Sequence, residues 1–247
     1  MAIRILIHGS NGRMGVAIKE SCDADPDVVA SAGVDLDTEL TLDEAIDHCD
    51  AVIDFSLHAI TTSVVESCLL HHKKLVIGTT GHDDGELAAI REASEKLPIV
   101  FAPNYSVGVN TLFWLTRRAT EILGTEFDLE VIEMHHRHKV DAPSGTARRL
   151  AEILAEVREL DYAKDMRHGR EGIVGARTQD EIGIHSMRGG DVVGDHTVVY
   201  ANTGERIELS HKASSRSTFA NGAVRAAKWV QEKEPGLYDM QDVLGLK

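Results

Sequence analysis

Cysteine is scarce: the 247 residues hold three, Cys22, Cys49 and Cys68, an odd number with no CxxC pair. Neither a disulfide framework nor a zinc site is indicated, and the three read as buried or idle thiols. No apolar run approaches the roughly 18 residues of a membrane span. The first such run, Ile3–His8, lacks the basic flank and cleavage pattern of a signal peptide. A cytoplasmic protein with no membrane partner is expected. Cations are outnumbered, 26 Lys and Arg against 40 Asp and Glu, so the formal net charge of -14 repels phosphate backbones over most of the surface. A nucleic-acid partner is not expected. Internal repeats and low-complexity tracts are missing as well, and aromatics supply only 4%. What is there, 43% hydrophobic and 27% charged, is the composition of a globular protein, long enough for one large domain or two small ones.

The first hundred residues alternate short β-branched runs with stretches of helical spacing, which is the pattern of βαβ units. Strands are predicted at Ile3–His8, Val28–Asp35, Ala51–Ser56, Lys74–Gly78 and Ile99–Ala102. Most lack in/out polarity, as strands of a parallel sheet covered on both faces do. Helices are predicted near Gly12–Cys22, Leu42–His48, Ala59–His72 and Asp83–Lys96. After Pro103 the rhythm changes to a long helix Val109–Leu123, a strand Phe127–Met134, a helix Ser144–Val157 and a charged, Gly-punctuated loop Arg158–Gly172. Three strand-like runs, Glu181–Met187, Val192–Tyr200 and Arg206–Lys212, then follow without long helices between them, which predicts antiparallel pairing. A last helix, Ser217–Gln231, has room to pack back on the first domain.

Directly after the first strand stands Gly9-Ser10-Asn11-Gly12-Arg13-Met14-Gly15, opening a helix. Glycines there permit a tight turn and let backbone N–H groups approach a pyrophosphate at the positive end of the helix. About twenty residues beyond Gly15 comes Asp35, where dinucleotide folds place an acid on the adenosine ribose. An ordinary strand-to-helix turn is the plainer alternative. The acid is followed by Leu36 and Asp37 rather than by an arginine suited to a 2′-phosphate, so NADH is expected to serve at least as well as NADPH. Two more loops, Asp54-Phe55-Ser56 and Gly78-Thr79-Thr80-Gly81, follow strand ends and are expected at the nicotinamide half, and Ala102-Pro103-Asn104-Tyr105-Ser106 leads toward the second domain.

In so acidic a chain, His135-His136-Arg137-His138-Lys139 inverts the local sign, and Ser144 beyond it is a helix cap. A solvated turn, a metal site and an acid/base site with an anion pocket are three readings of it. Metal is disfavoured by the lack of HExxH or a nearby cysteine. Histidine and lysine side by side can hold a dianionic substrate and deliver a proton as hydride arrives elsewhere.

The tract from His135 to Ala147, HHRHKVDAPSGTA, resembles the signature of the dihydrodipicolinate (4-hydroxy-tetrahydrodipicolinate) reductase family. The likeness extends to Gly9–Gly15, Asp54–Ser56, Gly78–Gly81, Asn104–Asn110, Arg188–His196, His211–Arg216 and Phe219–Ala223, and so runs through the whole chain. It implies reduction of a cyclic hydroxylated imine dicarboxylate by NADH or NADPH with loss of water, on the route to diaminopimelate and lysine. It further implies that His135 is the proton donor and Lys139 acts with it. His136, Ser144, Gly145 and Thr146 would contact the small dicarboxylate, the N–H groups of the last two holding a carboxylate. The cofactor would meet Gly9, Ser10, Asn11, Gly12, Arg13, Met14, Asp35, Ser56, Gly78, Thr79, Thr80, Ala102, Pro103, Asn104 and Tyr105. No metal is implied.

The expected architecture is therefore α/β. Residues 1–106 and 217–247 would form a Rossmann-like dinucleotide-binding domain with helices on both faces of a parallel sheet. Residues 107–216 would form a smaller α+β domain with a mainly antiparallel sheet, for substrate and for assembly into a homotetramer, with hinges near Ser106–Val107 and Arg216–Ser217. Three features depart from the family pattern: the tract Asp35–Asp50 is short, Leu36 replaces an arginine, and His82 stands where an aromatic is common. Two rival readings are an NAD(H)-sensing binding protein and a sister dehydrogenase for another small dicarboxylate.

Overall fold

A computed structural model describes all residues from Met1 to Lys247, which divide into two compact units, 1–107 with 216–247, and 108–215. In the first unit the strands are β1 (Ile3–His8), β2 (Val28–Val34), β3 (Ala51–Asp54), β4 (Lys74–Ile77) and β5 (Pro98–Phe101). Between them run α1 (Arg13–Ala24), α2 (Leu42–Ala45), α3 (Thr61–Leu70) and α4 (Asp84–Ser94). The short tract after Asp35 thus still builds a helix, started by a capping box in which Thr41 and Glu44 satisfy each other's backbone N–H groups.

The continuous apolar runs are explained by their burial. Ile5, Ile7 and Ile53 point into one core, while Leu6, Val52 and Leu75 point into another. With a side-chain period of two, a strand covered on both faces has no polar phase.

The second unit begins within α5 (Val107–Leu123) and contains β6 (Asp128–His135), α6 (Gly145–Arg158), α7 (Tyr162–Asp165), β7 (Met166–His168), β8 (Ile182–Arg188), β9 (Gly194–Asn202) and β10 (Glu205–Ala213). The chain then returns to the first unit as α8 (Ser217–Trp229), whose Lys228 binds Asp25 at 2.9 Å and Asp27 at 2.8 Å. A sixth strand, β11 (Gly236–Tyr238), joins the sheet beside β5, and α9 (Met240–Leu244) follows it. The first sheet is wholly parallel, in the order β11-β5-β4-β3-β1-β2, with its topological switch between β1 and β3.

Two expectations need correction. The stretch Arg158–Gly172 is not all loop, since it holds α7, capped by Asp161, and β7. The second sheet, β10-β9-β6-β8-β7, is mixed: β9 pairs antiparallel with β6 and β10, but β8 runs parallel to β6 and β7. Instead of β9, the next strand in sequence, β8 pairs with β7 on one side and with β6 on the other, and α6 lies in the crossover that the parallel β6–β8 pairing needs. No helix is long and apolar enough to cross a membrane.

Candidate active site

In the first unit, β1 ends at His8 and the chain turns through Gly9, at φ +83°, into α1. A Cβ on Gly9 would sit 2.5 Å from the carbonyl oxygen of Phe55, and one on Gly15 would sit 2.2 Å from that of Gly9, so both positions demand glycine. The start of α1 has no side-chain cap and no acidic residue in its first turn. Such a start presents N–H groups and a positive dipole end to an anion. At the switch between β1 and β3 lies a cavity of about 520 Å³, lined by Gly9, Asn11, Gly12, Asp35, Leu36, Ser56 and neighbours. The glycine turn, the bare helix start and the acid fit a dinucleotide.

Asp35 accepts hydrogen bonds from the backbone N–H groups of Asn11 and Leu36, each at 2.8 Å, which hold its carboxyl below the usual range. The Asn11 amide donates to Asp37 at 2.6 Å, so a second carboxylate borders the same mouth. Beneath it, Asp54 is fully buried and receives His8 Nδ1 at 2.7 Å, Ser56 Oγ at 2.5 Å and Thr79 Oγ1 at 2.8 Å. That carboxylate ties the ends of β1, β3 and β4 together.

Ser10, Arg13, Met14, Gly78, Thr79 and Thr80 do not line the cavity, nor do Ala102, Pro103, Asn104 and Tyr105 beyond β5. The Tyr105 side chain is 1% exposed and its hydroxyl lies 2.8 Å from the Ile77 carbonyl, so only its backbone is left for a ligand. His82 pins its loop to α3 through a 2.9 Å bond to Thr61 Oγ1 and stands edge-on to Phe101.

In the second unit, β6 carries His135 at its end. The ring is nearly buried, and Nδ1 lies 2.6 Å from Oε2 of Glu133, which is fully buried. Arg188 on β8 grips both oxygens of Glu133, at 2.8 and 2.9 Å. Burial works to raise the Glu133 carboxyl, but the bonds from Arg188, His135 and Ser186 outweigh it and hold it below the usual range. Gly194 keeps the ring's other edge clear, because a Cβ there would come 3.0 Å from His135 Nε2.

Ser144 caps α6: its hydroxyl accepts from the Ala147 N–H at 3.1 Å and lies 3.0 Å from His196 Nε2, while its own N–H donates to Glu133 at 3.2 Å. It is 2% exposed with its polar groups committed, so it orders the helix start, and Gly145 and Thr146 are the ones presented beyond it. Lys139 binds Asp141 at 2.8 Å and His136 is half-buried. Burial, reinforced by the neighbouring His135 charge, pushes His196 down to about 3, so it is neutral. No group of three or more His, Cys, Asp or Glu is placed to hold a metal ion. A buried, oriented histidine, a cation and a capped helix start together suit proton transfer to a bound carboxylate compound.

Glu133, Arg188 and His196 escaped notice as individual site residues. The signal for Glu133 was its phase: Leu129, Val131, Glu133 and His135 share the buried face of β6, where apolar residues give way to polar ones.

Family models described as the N-terminus and the C-terminus of dihydrodipicolinate reductase match residues 3–105 and 108–244. The chain belongs to the dihydrodipicolinate reductase family. Within it, the chain is 58% identical over 244 residues to a 4-hydroxy-tetrahydrodipicolinate reductase of Akkermansia muciniphila, covering 99% of this chain and 98% of that relative. A reductase of the same name from Laribacter hongkongensis is 46% identical over 265 residues, covering 99% of each. Among solved structures, the dipicolinate-bound dihydrodipicolinate reductase from Paenisporosarcina is similar with a TM-score of 0.79 at 27% identity, over 98% of this chain and 99% of that one. A probable dehydrogenase from Thermotoga maritima shares the fold at a TM-score of 0.61 and 12% identity, over 99% of this chain and 93% of its own.

Proposed function

We propose that the protein reduces (2S,4S)-4-hydroxy-2,3,4,5-tetrahydrodipicolinate to (S)-2,3,4,5-tetrahydrodipicolinate with loss of water, in diaminopimelate and lysine biosynthesis. The observation that carries the reading is His135, buried and bonded through Nδ1 to Glu133, on the same unit as Lys139 and the capped start of α6. A reduced nicotinamide dinucleotide, when bound, supplies the hydride. Gly9–Gly12, Asp35 and Ser56 would hold it in the first unit. Gly145 and Thr146 hold a substrate carboxylate through N–H groups at the start of α6, His136 contacts the ring, and Lys139 offsets the second negative charge. Loss of the 4-hydroxyl together with a proton from C5 releases water and leaves a C4=C5 double bond conjugated with the imine; hydride then adds at C4, and His135 gives its proton to C5 of the resulting enamine. Asp35 and Asp37 favour NADH at least as well as NADPH, because a 2′-phosphate would meet both carboxylates. The second unit is also the surface through which a homotetramer forms, and the cytoplasm is the place of action.

The test mixes purified protein with the aldehyde–pyruvate condensation product, made in situ by the preceding synthase, and follows loss of NADH and NADPH absorbance in parallel. Oxidation that needs both protein and condensation product is expected. Folded protein that binds NADH but leaves both cofactors untouched overturns the reading.

A further inference from the structure

We infer that Glu133 is the positioning residue for proton delivery, one buried carboxylate that orients His135, the start of α6 and the loop carrying Lys139 at once. The inference rests on the reading of His135 as proton donor. Its two oxygens are divided among the parts of the site. Oε2 accepts from His135 Nδ1 at 2.6 Å and from Arg188 at 2.8 Å, whereas Oε1 accepts from the Ser144 N–H at 3.2 Å and from the other Arg188 nitrogen at 2.9 Å. Arg188 passes the constraint on, donating from Nη2 to the Asp141 carbonyl at 2.7 Å, and Asp141 is the partner of Lys139.

The chemistry of this arrangement is specific. A carboxylate kept ionised has no proton to give, so Nδ1 must carry the hydrogen and the proton that moves must sit on Nε2. The same carboxylate steadies the imidazolium before it donates, and Arg188 prevents Glu133 from taking the proton itself. An ion pair whose only purpose was to join β6 to β8 would be replaceable by apolar residues of similar size, because burying charge costs several kcal/mol per ion. Here the charge is placed against a histidine at the end of the strand, and its remaining lone pairs are spent on the helix cap.

The test uses the full chain with Glu133→Gln and with Glu133→Asp, reading steady-state kinetics against pH and the tautomer of His135 by nitrogen NMR. In Glu133→Gln we expect kcat to fall about 10- to 100-fold, the range for loss of a carboxylate behind a functional histidine. The KM for NADH should stay put. Removing the negative charge disfavours the imidazolium, so the alkaline limb of kcat/KM moves to lower pH, and the Nδ1-protonated tautomer is lost. Glu133→Asp keeps the charge and should recover part of each effect. Unchanged kcat with an unchanged pH profile in Glu133→Gln overturns the inference, as does an Asp variant no better than the Gln variant. If Glu133→Gln fails to bind NADH as a folded protein, Glu133→Asp carries the same measurements. Should the wild-type protein not turn over the dicarboxylate, the functional reading falls. The NMR then decides the inference alone: a single Nδ1-protonated His135 supports it and a mixture of tautomers defeats it.

Discussion

Each unit buries one carboxylate against a histidine Nδ1, yet the two clusters are built differently. Asp54 in the first unit faces His8 across adjacent parallel strands, where the two residues are in register, and fills its other positions with the hydroxyls of Ser56 and Thr79. Glu133 in the second unit shares a strand with its histidine and is gripped by a guanidinium. Neutral donors let Asp54 knit three loop ends together, which suits the dinucleotide-binding edge proposed for this sheet. A permanent cation instead fixes the charge of Glu133, which suits the proton transfer proposed for His135.

The comparison breaks most readily at the histidines. His135→Ala, like Lys139→Ala, should lower kcat by roughly 10²–10⁴ with NADH affinity retained, the range for lost general acid catalysis. His8→Ala should weaken NADH binding and leave the proton-transfer step alone. Equal effects of the two histidine variants on kcat, measured at saturating cofactor, would erase the distinction drawn here.

The next test concerns the cation. Arg188→Met strands Glu133 in the interior with one histidine, and unfolding in denaturant should show a loss of ~2–3 kcal/mol, somewhat below that for a wholly buried pair because Arg188 is partly exposed. Ser56→Ala, which removes one of the neutral donors to Asp54, should cost about 1 kcal/mol. A smaller loss for Arg188→Met than for Ser56→Ala would mean that the guanidinium adds nothing that hydroxyls do not.

A pH effect separates the units further. His196 is neutral in the fold because burial and the facing charges of His135 on β6, His211 on β10 and Lys139 lower it to about 3, with only Glu133 pulling the other way. The unfolded chain takes up this proton near the ordinary 6.5, so stability is complete above that value and falls as the pH drops from 6.5 toward 3. Between pH 7 and pH 5 the loss should be about 2 kcal/mol, and His196→Gln should remove it. A slope that persists in His196→Gln would assign the acid sensitivity elsewhere, for example to Glu181, which Arg170 holds at about 2 against burial and whose contribution is lost only as the pH falls from 4.5 to 2.

The two units also differ in how much of them could be read in advance. Strands β1, β3 and β4 were legible because both of their faces are buried, so Ile5, Leu6 and Ile7 form an unbroken apolar run. The glycine loop was legible because only glycine fits at positions 9 and 15. Short elements held by tertiary pairing were not: β11 is Gly236-Leu237-Tyr238, three residues whose strand character comes from β5 beside them. In the second unit the parallel pairing of β8 was hidden because one of its partners, β6, lies far back along the chain and the other, β7, is only three residues long. His135, Lys139 and Ser144 stood out through local charge and capping, whereas Arg188 lies 55 residues from Glu133 and only the folded sheet joins them.

The smallest expected effect sharpens the reading of the first unit. Asp35 and Asp37 both border the mouth of the cavity, one bonded to the Asn11 N–H and the other to the Asn11 amide. Asp37 is exposed, so its repulsion of a 2′-phosphate is screened and should be about 1 kcal/mol, that is, roughly fivefold. Asp37→Asn should therefore raise kcat/KM for NADPH by about that factor and leave the value for NADH nearly unchanged. Asp35→Asn should in addition weaken NADH, because its carboxylate is the group proposed to meet the ribose hydroxyls. If Asp37→Asn harms both cofactors alike, Asp37 serves to hold Asn11 in the loop rather than to choose between dinucleotides, and the first unit would then use its carboxylates for architecture alone.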